Sequence, residues 1–293
     1  MSEIPDALLK HIRRIHVQTI RLAEDILAGE YHSAFKGKGM EFEEVREYVE
    51  GDDVRSIDWN VTARMRSPHV KNFREERELT LYLVVDISAS TRFGSNQATK
   101  REMIAQVGGI LAFSAIKNSD KVGLILFSDR VEKHLSPKKG LRHVLRIIRE
   151  LLVYEPQSLT TNLEAALDFL GNVQKQAAIC FVISDFLAPE CPLALAVAAK
   201  RHDLIAVAVA DPMEIEPVDI GLVAVEDLEN GIEKVIDTSR PEWKNEIKQK
   251  AAARIAHYKS MMKNVGAGFI FLRTDHSPVS ELRKFFKFRR IRH

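Results

Sequence analysis

The sequence predicts an α/β fold, a mostly parallel sheet with helices on both faces. Three observations carry that expectation. Several short stretches are unbroken apolar runs, "LYLVV" from Leu81, "ICFVI" from Ile179 and "LIAVAVA" from Leu204. Strands covered on both faces read this way, whereas half-exposed strands alternate apolar with polar. From Leu79 onward such runs also alternate with stretches of helical period, the order expected of strand–helix units in a layered sheet. Finally, two of the runs end in hydroxyls and carboxylates: Asp86 with Ser88 and Ser90, and Ser184 with Asp185. That is the edge at which open parallel sheets bind ligands.

Taken in order, Ile4, Leu8, Ile12, Ile15 and Ile20 recur near helical spacing, with Pro5 suited to a first turn and Gly29 to an end. From Tyr31 to Glu78 the chain is crowded with charge but also holds Phe35, Phe42, Tyr48, Ile57 and Trp59, too much apolar material for a disordered linker. This stretch is expected to be an ordered cap, with Asp52, Asp53 and Asp58 paired to nearby arginines (Arg46, Arg55, Arg64) and Trp59 anchored in a core.

"LTLYLVVD" then reads as a strand and "NQATKREMIAQVGGILAFSAIKNS" as a helix, whose Gly108–Gly109 pair permits close approach to a sheet. "KVGLILFS" and "RVEKHLSP" are strands; "GLRHVLRIIRELLVY" and "TNLEAALDFLGN" are helices. "QAAICFVISD", the helix "CPLALAVAAKR" and the strand "DLIAVAVAD" follow. "GLVAVEDLENGIEKVIDT" has the form of a hairpin turning at Asn230–Gly231, expected to add an antiparallel edge to the sheet. A long helix from Pro241, the strand "AGFIFLRT" and the helix "PVSELRKFFKF" close the chain. The predicted organisation is an N-terminal helix and charged cap over residues 1–78, the α/β domain over 79–275, and a C-terminal basic helix over 276–293 packing on it.

Composition excludes several classes. A net charge of +2 does not mark a nucleic-acid binder. Two cysteines, one inside an apolar strand, are not a disulfide framework and point to a reducing, cytoplasmic setting. No run is long enough to span a membrane, and the N-terminus lacks a signal peptide's apolar core. The basic tail reads as a helix packing Leu282, Phe285 and Phe286, with its charges in solvent. His16, His32 and His257 stand apart from one another and from any Cys/His cluster, so zinc is not expected.

The chemistry-bearing residues are Asp86, Ser88, Ser90, Thr161 and Asp185. Serines after a strand and a threonine before a helix also serve as ordinary caps. If the two strands are neighbours, however, the five side chains converge as hard oxygen donors suited to Mg²⁺ or Mn²⁺. "DISAS", a threonine ahead of "NLEAAL", and "VISDF" resemble the metal-ion-dependent adhesion site of von Willebrand factor A domains. The string "FKGKGMEFEEVREYVEGDDVRSIDWNVTARMRSPHVKNFREERELTLYLVVDISASTRFGS" resembles the family known as domain of unknown function 58, and that resemblance runs from about Gly29 to the last helix. It implies a von Willebrand A-like domain behind a charged segment, without the membrane helices that many members carry. It implies a MoxR-type AAA+ ATPase as partner and a role in assembly or maturation of other proteins. By the same resemblance Ser88 and Ser90 ligate the metal directly, Thr161 directly or through water, and Asp86 and Asp185 mainly through water. Neutral hydroxyl ligands leave the ion's charge under-neutralised, so that a partner protein's carboxylate completes its coordination. No nucleophile elbow or P-loop is present. The alternative reading is a metal-dependent hydrolase or phosphatase using Asp86.

Overall fold

The computed structural model describes residues 31, 34–35, 41–74, 78–95, 98–226, 228 and 231–292. The expected N-terminal helix, His16, His32 and the turn residue Asn230 lie outside them. The described residues divide into two compact units, Phe35–Leu79 and Thr80 onward, the latter together with Tyr31 and Ala34.

The smaller unit is an antiparallel pair, β1 (Glu41–Glu47) and β2 (His69–Arg74), joined through a short helix, α1 (Trp59–Met65). Asp58 caps α1 by accepting the amides of Asn60 and Val61, and pairs with Lys71 at 3.1 Å. Arg46 grips Asp52 with two bonds of 2.7 Å, which pulls the Asp52 carboxyl down to about 2. Asp53 accepts the backbone N–H of Arg55. The acids are thus occupied, but Lys71 and a backbone amide supply two of the partners assigned to arginines. Trp59 is no core anchor: it is 68% exposed, because α1 buries none of its residues.

In the larger unit the strands are β3 (Thr80–Asp86), β4 (Lys121–Phe127), β5 (Val131–Lys138), β6 (Ile179–Ser184), β7 (Asp203–Ala210), β8 (Leu222–Glu226), β9 (Glu233–Asp237) and β10 (Gly268–Arg273). Its helices are α2 (Lys100–Lys117), α3 (Leu141–Val153), α4 (Leu163–Val173), α5 (Pro192–Arg201), α6 (Pro241–Asn264) and α7 (Pro278–Arg292). Six strands form the main sheet in the order β10-β7-β6-β3-β4-β5, all parallel except β5. The apolar runs of β3, β4, β6 and β7 are buried on both faces, as unbroken hydrophobicity predicts. Residues of α4, α5 and α6 pack with Tyr82, Val84 and Val182 on one face. On the other, Gly108 brings α2 so near that a Cβ there would stand 2.8 Å from Leu151 of α3 and 3.6 Å from Leu83.

β8 and β9 pair with each other in a separate two-stranded sheet, so the expected antiparallel edge is misplaced. The antiparallel edge is β5 instead, carried back along β4 by the tight turn where Ser128 N–H bonds Arg130 O. β10 takes the opposite edge beside β7, and neither edge strand pairs with β8 or β9. Arg201 ends α5 and Asp203 begins β7. Among the described residues, no helix is long and apolar enough to cross a membrane.

Candidate metal site at the strand tips

β3 leads through α2 to β4 on one side, while β6 lies on the other. The sheet order therefore reverses between β3 and β6, and a crevice opens at the carboxyl ends flanking that point. Asp86 is the last residue of β3 and Ser184 the last of β6.

Asp86 is fully buried. Its Oδ1 accepts the Ser88 amide at 2.9 Å and its Oδ2 accepts the Ser184 hydroxyl at 2.7 Å. Burial, then the negative charge of Asp185, push the Asp86 carboxyl up to about 6, against the hydrogen bonds from Ser184 and Ser88. Ser88 begins a tight turn over Ala89–Arg92, which the Thr91 hydroxyl closes onto Ser88 O at 2.7 Å. The turn places Ser88 Oγ 3.1 Å from Ser90 Oγ. Oxygens about 2.1 Å from an octahedral Mg²⁺ and at right angles to each other lie about 3 Å apart. The hydroxyl pair therefore fits such an ion as neighbouring ligands, with the Asp86 carboxylate behind them.

Thr161 stands on the loop before α4, half-buried. The Ala89 amide bonds Leu159 O at 3.0 Å, which ties this loop to the serine turn. Among the described residues no hydrogen bond joins Thr161 to the other four. Asp185 lies in the turn after β6, where Phe186 adopts a left-handed backbone (φ 53°) and Asp185 Oδ1 accepts the Leu187 amide at 3.1 Å. Its Oδ2 accepts from the buried Lys100 ammonium at 2.8 Å. Two residues outside the sequence-derived set thus belong to the cluster: Ser184, which holds Asp86, and Lys100, which holds Asp185. For Lys100 the sequence offered one faint signal, a cation at the first position of a helix, where the helix dipole disfavours it.

Exposed apolar residues lie on the segments leaving the site: Phe93 beyond the serine turn, Leu159 ahead of Thr161 and Leu187 beyond Asp185. Cys180 and Cys191 are free and buried, and burial raises both thiols, Cys191 to about 11, so neither is poised as a nucleophile or ligand.

A mostly parallel sheet with this strand order, one antiparallel edge and polar tips at its reversal defines a von Willebrand A-like domain. The chain belongs to the family described as "Protein of unknown function DUF58", whose model matches residues 44–257. It is similar to an uncharacterized protein of Mycobacterium tuberculosis, 29% identical over 282 residues, covering 95% of this chain and 89% of that one. Similar solved structures include BatB, a conserved hypothetical protein from Bacteroides thetaiotaomicron (15% identical, 73% of this chain and 100% of that chain, TM-score 0.44). Another is the SpRpn10 VWA domain (12% identical, 46% of this chain and 76% of that chain, TM-score 0.35).

Proposed function

We propose that this protein is a non-catalytic, Mg²⁺-dependent protein-binding module of the cytoplasm, working as an adaptor with a MoxR-type AAA+ ATPase in the assembly or maturation of other proteins. The observation that carries this is the pair of neutral hydroxyls, Ser88 and Ser90, 3.1 Å apart at the strand tip. Asp86, Ser88 and Ser90 would hold the ion, with Thr161 and Asp185 completing the site. When bound, the ion supplies an electrophilic position for a carboxylate from another protein. The chain's own part is to keep the hydroxyls facing one point, to fix Asp86 behind them and to offer apolar side chains around them. A hydrolase using Asp86 as nucleophile is poorly supported, because that carboxylate is fully buried and both its oxygens already accept hydrogen bonds.

The test is capture of the ATPase by the purified protein in Mg²⁺, in EDTA, and with Ser88→Ala and Ser90→Ala. Capture should require Mg²⁺ and fall at least tenfold in either variant. Capture that ignores EDTA, by protein of unchanged circular dichroism, would move the docking point away from the strand tips.

A further inference from the structure

Lys100 is a deeply buried cation beside the site, its side chain 1% exposed. It opens α2 directly after the capping residue Thr99, where the helix macrodipole is unfavourable to a cation. Burial also works against the ammonium, yet its proton is held more tightly than usual because two carboxylates face it. Asp185 Oδ2 accepts at 2.8 Å and Glu214 Oε1 at 2.7 Å. The two carboxylates are not equivalent. Asp185 is 3% exposed, while Glu214 is 19% exposed and partly screened by water. Glu214 is also anchored independently, its Oε2 accepting the Asp211 amide at 2.9 Å. The ammonium's charge therefore acts mainly on Asp185.

The consequence concerns the ion. Each oxygen of Asp185 already has one donor, the ammonium on one side and the Leu187 amide on the other. Each keeps a lone pair with which to accept from a metal-bound water. A direct bond from Oδ2 to a divalent cation would bring that cation against the ammonium.

We propose that Lys100 is a positioning residue that sets the charge of the strand-tip site. It holds Asp185 away from direct ligation and offsets its charge. The ion would then face Asp86, a carboxylate that no ammonium or guanidinium bonds directly among the described residues although the Arg101 charge lies near it, and would keep its attraction for a carboxylate from outside. This rests on the metal-site reading above.

The experiment uses Mn²⁺ as probe, titrated into the full-length wild type, Lys100→Met and Lys100→Met/Glu214→Gln. Free Mn²⁺ is read by electron paramagnetic resonance, and melting temperature is measured with and without the ion. With the ammonium gone, Asp185 is free to meet the ion. Mn²⁺ should bind at least tenfold more tightly to both variants, and its stabilising shift should exceed that of the wild type. A merely structural lysine would lower the melting temperature equally with and without Mn²⁺. The double variant leaves one carboxylate unpaired rather than two, and it decides the matter if the single variant folds poorly. Unchanged or weaker Mn²⁺ binding by a variant with wild-type circular dichroism overturns the role of Lys100 alone. Absence of Mn²⁺ binding by the wild type overturns the metal site and this role together.

Discussion

Asp86 is subject to two opposed demands, and their balance depends on pH. In the metal-free protein its carboxyl is shifted from about 3.9 up to about 6, chiefly by burial. A raised folded-state value means that its contribution to stability is fully present below about pH 4 and is lost as pH rises through about 6. A divalent ion reverses the preference, since it needs the carboxylate ionised. The stabilising shift produced by Mg²⁺ should therefore be clearly larger at pH 7.5 than at pH 5, by scanning fluorimetry at matched ionic strength. Equal shifts at the two pH values would separate Asp86 from the metal. The spacing of Asp86, Ser88 and Ser90 was legible because one local turn brings the three together. The hold of Ser184 on Asp86, though Ser184 itself stood out as a strand-end hydroxyl, and the part of Lys100 were not, because these bonds to Asp86 and Asp185 span 98 and 85 residues. Only the pairing of β3 with β6 and the packing of α2 create those neighbours.

The elements themselves were legible wherever burial dictates sequence. β3, β4, β6 and β7 are apolar throughout because helices cover both faces, so the strands could be marked by their runs alone. The destination of the β8–β9 hairpin was not encoded this way. Its own register is local, whereas nothing within the hairpin sets whether it pairs with an edge of the main sheet, and it stands as a separate two-stranded sheet. Trp59 shows the limit of reading an aromatic as core: a seven-residue helix that buries nothing gives it nowhere to go. The closing helix is the opposite case. Phe286 is fully buried and meets Tyr31 edge-on at 6.1 Å between ring centroids. Beside it, a Cβ on Gly268 would stand 2.7 Å from the Phe285 ring, so α7 lies close upon β10. Phe286→Ala should cost about 3–5 kcal/mol in denaturant unfolding. A loss under about 1 kcal/mol would mean that α7 contributes little to the fold.

At the scale of the larger unit, the parallel sheet gives its two ends different characters. The carboxyl ends of β3 and β6 carry the buried acids and the hydroxyls, and the segments leaving that end carry Leu159 and Leu187, 48% and 43% exposed. α4 starts from the Thr161 loop at this end and runs the other way, so Val173, 37% exposed on its last turn, belongs to the opposite end. An ion alone gives little selectivity, since any carboxylate can approach it; apolar contacts around the charge are what discriminate one protein partner from another. Partner capture and metal binding should therefore be separable by mutation. Leu159→Asp and Leu187→Asp should each weaken capture of the ATPase by at least tenfold while Mn²⁺ affinity stays within about threefold of wild type, because neither side chain is an oxygen donor to the site. Val173→Asp introduces the same charge at the far end and should leave both measurements unchanged. Loss of capture in Val173→Asp alone would place the docking surface at the amino ends of the strands. Loss of Mn²⁺ binding together with capture in Leu187→Asp would mean that the turn holding Asp185 had moved, and that the apolar rim and the site behave as one unit.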